Sequence, residues 1–497
     1  LSIQQTYLSS FIIYLLFSII KTIFFPSSPP LPCSSFPAKG HCRKIRSGKR
    51  CPIMNCEAMN DIRDVNEFNN YNNHTNIPLD FIENHDHDCD QEQESAGEVS
   101  DGGVGGASPA EIKLKIKKSL LEFRCKIQDA ILGNYLFGEG EKVALTKENL
   151  RDVTLWGVPL LPSKGHEGTD IVLRKFLKAK DFRVNDAFEM LQKTMVWRIR
   201  NNVDKILDED LGSDFENVGF LNSRDKEGRP VCYHLYEVYR DKGLYKNTFG
   251  TQEKCELFLR WRIQMMEIAV KKLCFRTGVD GIIQVYDLKN APLQGMKELH
   301  SLSKKALVLY QNYYPEIIYK NIVINAPFWF YTSQVLFSRL LNQRNKKKFI
   351  FSRPPRATPM LLKYIAPEHL PAEYGGLRRN NDQDFTADDK VLELKIRANS
   401  VSTIEFPVHE TGVTIMWDIT VVGWDVTCKE EFVPDDEGSY VILLQNQNVV
   451  GDSTRNSFYI SEPGKIMITV ENGNFKKKKM YYRTKTRVTV PMFILLS

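Results

Sequence analysis

The chain has 497 residues, of which 67 are Lys or Arg and 61 are Asp or Glu, and its net charge is +6. This length allows two or three domains, each with its own core. Because acidic residues nearly match basic ones, the composition excludes a nucleic-acid-binding protein that is basic over its whole surface, and we predict no nucleic-acid partner.

The chain begins with an apolar stretch from Tyr7 to Phe25, followed by a segment rich in Pro and Ser. This pattern is typical of a signal peptide or a short membrane anchor. The alternative is that residues 1–53 are not native, because Met54 and Met59 are available as later starts. Both interpretations stay open at this point.

Residues 1–107 are predicted to be a disordered, low-complexity region. From residue 26 onwards they are rich in Pro, Ser, Asn, Asp and Gly, and such a composition cannot offset the entropy of ordering. The motif HDHDC at His85–Cys89 lacks a second ligand cluster at a structural-zinc spacing, so we expect a solvated linker there. Of the ten cysteines, five precede residue 90 and the others are isolated, which indicates reduced thiols in a cytosolic protein.

Residues 108–203 are predicted to be helical. Ser108 followed by Glu111 is typical of a capping box, and apolar residues then recur at the three- and four-residue steps of an amphipathic helix. The members of that apolar face are Ile112, Ile116, Leu120, Phe123, Ile127 and Ile131. A second helical stretch covers residues 170–200, and the break between Asp181 and Asp186 predicts two packed helices.

Residues 204–380 are predicted to form an α/β layer. The strand-like segments GRPVCYHLYEV, GIIQVYDL, NIVINA and KKKFIFS alternate with helical runs. Strands interleaved with helices favour a largely parallel sheet.

Residues 384–491 are predicted to form a separate all-β sandwich. Ile415, Trp417 and Ile419 share one parity, while Asp418 and Thr420 share the other. Short strands that alternate in this way, with turn signals between them, are typical of a sandwich with one buried face per sheet.

No set of residues predicts catalysis. The histidines lack the context of a metalloprotease or nucleophile motif. Asp287 ends a strand, where α/β proteins often place catalytic acids, but capping of the following turn explains it equally well. We therefore predict a protein that is not an enzyme, with no catalytic residue, no metal and no cofactor.

The segment after Asn325 favours a binding pocket. Pro327 starts a predicted helix with an aromatic first turn and further apolar residues. These cavity or gate candidates are Phe328, Trp329, Phe330, Tyr331, Val335, Leu336 and Phe337. The helix either faces a cavity and a membrane or is a buried core helix, and composition does not separate the two. Glu316 precedes this segment, and KKKFIF holds its candidate partner, because a buried carboxylate must be paired.

Five motifs carry a family resemblance. LRKFLKAKDF, NYYPE, INAPFWF, KKKFIF and YIAPEHLPAEYGG follow one another over residues 165–380. Their order resembles the CRAL-TRIO lipid-binding fold of phosphatidylinositol-transfer proteins. With WGVPLLP before them and GKIMITVENGNFKKKKMYYR after them, the chain resembles the patellins, plant proteins that add a C-terminal Golgi-dynamics (GOLD) domain.

The resemblance implies a lipid headgroup site at Lys180, Glu316 and Lys348, with Glu316 and Lys348 as a charge-coupled pair. It also implies that the helix after Pro327 is the gate that admits acyl chains. At Lys180 the transfer proteins more often have Arg, and at Asp181 a basic residue. A lysine keeps the charge but loses the planar fork of arginine, which changes the expected headgroup preference.

A basic segment in the terminal domain is a second candidate for lipid contact. Its predicted membrane-docking residues are Lys476, Lys477, Lys478, Lys479 and Arg483. Each such charge near an anionic leaflet is worth about 1 kcal/mol. The structural alternative is an edge strand whose charges block aggregation.

Together these features predict a phosphoinositide-binding carrier or sensor that is cytoplasmic and associates peripherally with anionic membranes. The resemblance to patellins implies vesicle trafficking at the cell plate during division, with a bound phospholipid as the ligand. Two alternatives are a carrier of another hydrophobic molecule, and a trafficking adaptor whose GOLD domain recruits a protein partner.

Overall fold

The computed structural model describes residues 108–137, 153–161, 165–291, 297–326, 347–423, 426–449 and 453–489. The predicted disordered region and its apolar stretch lie outside the described residues. Within the described part of the chain, none of the helices is both long and apolar enough to cross a bilayer.

Seven α-helices occur in the described residues. In chain order they are α1 Pro109–Leu132, α2 Glu167–Ala179, α3 Val184–Arg200, α4 Lys242–Phe249, α5 Gln252–Lys271, α6 Lys297–Tyr313 and α7 Ala357–Tyr364. The predicted capping box begins α1, because the Ser108 side chain accepts from the Glu111 N–H at 3.2 Å and the Glu111 carboxylate accepts from the Ser108 N–H at 2.6 Å.

The first three helices make the predicted helical subdomain. The apolar face of α1 is buried from Leu120 onwards, with Phe123 and Ile127 fully inaccessible. It packs with α2 and α3 and with a short hairpin of β1 Thr154–Leu155 and β2 Val158–Pro159.

A five-stranded sheet follows, in the order β3-β4-β5-β6-β7. The strands are β3 Gly219–Arg224, β4 Pro230–Leu235, β5 Ile282–Asp287, β6 Ile318–Ile324 and β7 Phe349–Phe351. β4, β5, β6 and β7 pair in parallel, as predicted, while β3 is an antiparallel edge strand that the sequence patterns did not reveal. One face of this sheet packs against α7, and the other faces α5 and α6.

The C-terminal domain is a sandwich of two four-stranded antiparallel sheets, in the orders β13-β10-β15-β8 and β12-β11-β14-β9. Its strands are β8 Leu392–Ile396, β9 Ser400–Val408, β10 Val413–Val422, β11 Val426–Pro434, β12 Ile442–Val449, β13 Thr454–Ile460, β14 Gly464–Asn472 and β15 Lys478–Val488. Trp417 and Ile419 of β10 lie in its core, as their parity predicted. The predicted α/β domain followed by an all-β sandwich is therefore confirmed.

The sandwich packs directly against the α/β domain. Val422 and Tyr481 contact the apolar cluster behind the five-stranded sheet, and the Thr420 hydroxyl donates to the Gly375 carbonyl at 2.9 Å. Thr420 is fully buried, although its parity is opposite to that of the sandwich core. The outer face of this sheet is thus a domain interface and not a solvated surface.

Candidate functional site

Glu316 and Lys348 meet at the amino ends of two neighbouring parallel strands. Glu316 lies just before β6, and Lys348 lies just before β7. The Lys348 Nζ is 3.0 Å from the Glu316 Oε2, and the two side chains are 18% and 19% exposed. A half-buried ion pair of this kind is screened less than a surface pair and is held in one orientation. The predicted pair forms, and its contact with a headgroup stays a prediction.

The backbone of Glu316 is itself constrained. Its φ is +54°, in the left-handed region that a residue with a side chain rarely adopts. The buried Lys175 of α2 donates to the Glu316 carbonyl at 2.9 Å and forms an ion pair with Asp280 at 3.0 Å. Strained backbone that neighbouring groups hold in place is common at functional sites.

Positive charge is in excess around this pair. Lys320 of β6 is half-buried, and burial together with repulsion from Lys348 lowers its pKa. Burial also lowers the pKa of Lys175, although Asp280 and Glu316 oppose that effect. Among these described residues three ammonium groups, Lys175, Lys320 and Lys348, surround two carboxylates, so that the group carries one net positive charge. An added anion would relieve this repulsion.

The sequence patterns missed Lys175 and Lys320. The available signal for Lys175 was its position among apolar residues of α2, next to Phe176 and Leu177, which are fully buried. A lysine on such a face must reach a carboxylate or a carbonyl.

Lys180 is not brought to the pair. It follows the last residue of α2 and caps it, with its N–H bonded to the carbonyls of Phe176 and Leu177. Within the described residues its side chain forms no hydrogen bond or ion pair with Glu316 or Lys348. Lys175, which lies on the same helix, contacts Glu316 instead. The predicted headgroup contact of Lys180 therefore stays a prediction.

The gate candidates from Phe328 to Phe337 lie outside the described residues. Of the neighbouring strands, Asn321 and Val323 of β6 pair with Phe349 and Phe351 of β7, and these four residues share one face of the sheet. The two phenylalanine rings stack at 6.2 Å and are only half-buried. The opposite face is covered by α7, and a lipid cavity on the face of Val323, Phe349 and Phe351 stays a prediction.

Asp287 acts as a cap in the structure. Its Oδ1 accepts from the Lys289 N–H at 2.8 Å and from the Asn325 side chain at 2.7 Å. These two bonds tie the end of β5 to the end of β6, just before the gate segment. This arrangement favours the capping interpretation of Asp287.

The basic segment divides into exposed and buried residues. Lys476, Lys477 and Lys479 are exposed, and Phe475 next to them is 87% exposed. Lys479 is within 3.3 Å of Glu393. Phe475, Lys476 and Lys477 lie in the turn between β14 and β15, and Lys479 is the second residue of β15. We call these four residues the basic turn.

The membrane-docking prediction is wrong for Arg483 and Lys478, which are 2% and 6% exposed. Arg483 donates to the Asp418 carboxylate at 2.8 Å and to the carbonyls of Leu377 and Thr386 at 2.7 and 2.9 Å. The segment that leads out of the α/β domain covers this face of the sheet, so Arg483 is a structural residue.

Comparisons with known proteins agree with this architecture. The CRAL/TRIO N-terminal domain matches residues 122–193, the CRAL/TRIO domain matches residues 214–376, and the Patellin-1-like C-terminal GOLD domain matches residues 397–478. These matches define a protein in which a CRAL/TRIO domain precedes a GOLD domain.

The relatives place the chain more narrowly. Patellin-4 of Arabidopsis thaliana is 45% identical over 341 residues, which are 68% of this chain and 62% of that protein. Patellin-3 of the same plant is 38% identical over 375 residues, 74% of each chain. The chain belongs to the patellin family. Phosphatidylinositol transfer protein sfh5 of Sclerotinia sclerotiorum is 29% identical over 253 residues, 47% of this chain and 58% of that protein.

The chain spans less than two thirds of patellin-4 and about three quarters of patellin-3.

Proposed function

We propose that this protein is a non-enzymatic carrier or sensor of phosphoinositides that associates peripherally with membranes. The observation that carries the proposal is the half-buried pair of Glu316 and Lys348 beside two further lysines, at the rim of an apolar sheet face. The name of the related sfh5 protein, which states transfer of phosphatidylinositol, supports the same ligand class.

The pair suits a ligand that carries both a phosphate and hydroxyl groups. An ammonium group donates to phosphate oxygens, while a carboxylate accepts from the O–H groups of an inositol ring. Phosphatidylinositol and its phosphorylated forms offer both, and their acyl chains would lie over Val323, Phe349 and Phe351. Choline and ethanolamine headgroups lack the ring hydroxyls that would use Glu316.

Vesicle flotation tests the headgroup site. We expect Lys348→Ala to weaken binding to vesicles that contain phosphatidylinositol 4-phosphate by about tenfold, which corresponds to roughly 1.4 kcal/mol. Binding to phosphatidylcholine vesicles should not change. Lys363→Ala, on the exposed side of α7, is the matched control. Equal affinity of Lys348→Ala and wild-type protein for the phosphoinositide would reject this site.

Mass spectrometry of copurifying lipid separates the carrier hypotheses. Phosphoinositides that are lost from Lys348→Ala support the proposal. A tocopherol-like molecule that is retained by Lys348→Ala would support the carrier of a different hydrophobic ligand. Vesicle binding that does not depend on phosphoinositide content would favour an adaptor whose CRAL/TRIO domain binds no lipid.

We propose that the basic turn, which is Phe475, Lys476 and Lys477 with Lys479 at the start of β15, docks on the anionic leaflet. Three charges at about 1 kcal/mol each set an upper limit of roughly 3 kcal/mol, and the ion pair of Lys479 with Glu393 reduces it. Replacement of the three lysines by alanine should weaken binding to phosphatidylserine vesicles. The matched control replaces three exposed lysines of the α/β domain, which are Lys242, Lys246 and Lys271.

The cellular process is proposed to be vesicle trafficking at the cell plate. A fluorescent fusion followed through cytokinesis in plant cells tests it. Enrichment at the cell plate that is lost in the triple-alanine variant would support membrane docking as its cause.

A further inference from the structure

One edge strand of the GOLD domain lacks the residues that usually protect an edge. The sandwich has four edge strands, β8, β9, β12 and β13. β8 carries Glu393 and Lys395, β9 carries Glu405 and Pro407, and β13 carries Arg455. Charged residues and proline on an edge prevent another strand from pairing with it. β12, with the sequence ILLQNQNV, contains neither.

The same edge exposes a continuous apolar run. Tyr440 is 90% exposed, Val441 54%, Ile442 41% and Leu443 57%. Tyr440 and Val441 directly precede β12, and Ile442 and Leu443 are its first residues. Because successive residues of a strand point to opposite faces, Ile442 and Leu443 present apolar surface on both sides of the strand. In the described part of the chain, β12 pairs with β11 only, and its other edge offers backbone groups for a further strand. Exposed apolar patches of this kind mark interaction sites.

The edge is shaped for a short segment and not for a second copy of itself. The register of β12 with β11 shifts between Glu430 and Glu431, which leaves Leu444 as the extra residue of a bulge. A bulge bends and twists its strand. Two copies would have to match their bulges to pair over the full strand, whereas a short peptide can pair with Tyr440–Leu443 alone.

The charge next to β12 favours a basic peptide over an anionic membrane as the partner of this edge. The turn that leads into β12 holds Asp435, Asp436 and Glu437, all exposed. A basic side chain also lies beside this turn, because the His409 Nδ1 is 3.6 Å from the Asp435 Oδ2. Three carboxylates beside the apolar run repel an anionic leaflet and attract basic side chains.

We propose that β12 is a docking edge for an extended peptide segment of a partner protein, with apolar residues at its centre and basic residues beside them. The segment adds a strand to the sheet, its backbone pairs with β12, and its basic residues face the acidic turn. Strand addition to an open sheet edge is an established mode of peptide recognition. The site lies in the GOLD domain and is independent of the headgroup pair.

A fluorescence anisotropy titration of the full chain tests this proposal. The probe is a labelled peptide of about ten residues with alternating valine and threonine and lysines at both ends. We expect saturable binding, weakened about tenfold by Leu443→Lys, which places a gatekeeper charge on the edge. Val401→Lys is the matched control, because Val401 is 60% exposed on the opposite edge strand β9. A peptide with glutamates in place of the lysines should not bind.

Three outcomes overturn the proposal. Failure of the lysine-flanked peptide to bind would remove the docking edge, and equal weakening by Leu443→Lys and Val401→Lys would move the contact elsewhere. Sedimentation that shows a wild-type dimer and a monomeric Leu443→Lys would assign the edge to a second copy of the chain. Unchanged melting temperatures of both variants exclude misfolding as the cause.

Discussion

Arg483→Met removes the guanidinium that connects the GOLD domain to the segment that follows the CRAL/TRIO domain in the chain. Methionine retains most of the apolar volume of the side chain but donates no hydrogen bonds. The buried carbonyl of Leu377 loses its donor, and a buried acceptor left unpaired costs about 1–3 kcal/mol. The carbonyl of Thr386 also loses its donor, but Thr386 is exposed and water can replace it. The fully buried Asp418 also loses one of its arginines.

Asp418 is not left alone by this change, which limits the effect. Arg455 donates to both of its oxygens at 2.7 Å and also holds Asp382. Removal of the only partner of a buried charge destabilises a protein by about 3–5 kcal/mol. Because Arg455 still pairs with Asp418, we expect Arg483→Met to destabilise the domain by only about 3 kcal/mol in total. The free energy of unfolding of the GOLD domain should fall by this amount.

Urea unfolding followed by circular dichroism measures the effect. At about 1–3 kcal/mol per molar of urea, a loss of about 3 kcal/mol should move the transition of the GOLD domain by roughly 1–3 M. Since a chain of two domains need not unfold in one step, amide hydrogen exchange in β10 and β15 should locate the loss. Lys479→Met is the control on the same strand. It removes an exposed ion pair with Glu393, so it should lower the free energy of unfolding by less than about 1 kcal/mol.

The opposite pattern would refute the reasoning. Arg483 would face lipid if Arg483→Met had the same urea transition as Lys479→Met but a lower affinity than wild-type protein for anionic vesicles. The original membrane-docking prediction for this residue would then be correct.

Three further predictions concern the caps and the charge pairs. Ser108→Ala should lower the free energy of unfolding of the helical subdomain by about 1 kcal/mol, measured by thermal unfolding, because it removes the capping box of α1. Burial opposes ionisation of Asp382, but hydrogen bonds from Arg455 and from the N–H groups of Phe385 and Asp384 outweigh it and lower its pKa to about 2. Its ionised form therefore stabilises the fold by about 2 kcal/mol above pH 4, and acid titration should show this stability being lost as the pH falls from about 4 to 2. Glu316→Gln should weaken phosphoinositide flotation less than Lys348→Ala does, because an amide oxygen still accepts from a hydroxyl group.

The sequence patterns predicted which residues of a strand face the core of the sandwich, but not that the outer face of the sheet is also covered. Ile415, Trp417 and Ile419 are in the sandwich core because alternation reports the inward face directly. Asp418 and Thr420, of opposite parity, are also fully buried. Their cover comes from residues 375–386, which precede the domain, and no local period can report a partner so far away in the chain. The same limit explains the wrong prediction for Arg483, because the carbonyls to which it donates lie 97 and 106 positions earlier in the chain.

The headgroup site shows a related limit. The Glu316 and Lys348 pair could be predicted because a recognisable motif precedes each of two strands. Lys175 could not be assigned, since its contact with Glu316 joins residues 141 positions apart. Lys180 lies nearer to the break between α2 and α3 and has the more recognisable context, but helix geometry turns Lys175 towards the sheet.

The two ends of the GOLD domain are chemically different, and their placement separates two kinds of contact. Val422 of β10 pairs with Lys479 and also packs on the CRAL/TRIO domain, so the basic turn lies at the end of the sandwich nearest that domain. Ile442 pairs with Phe432, at the end of β11 farthest from Val426 and hence from that interface. A membrane held by the basic turn would therefore leave the start of β12 open to solvent. Because the acidic turn beside it repels the same leaflet, the proposed membrane contact and the proposed peptide contact lie at different ends of the GOLD domain and do not compete.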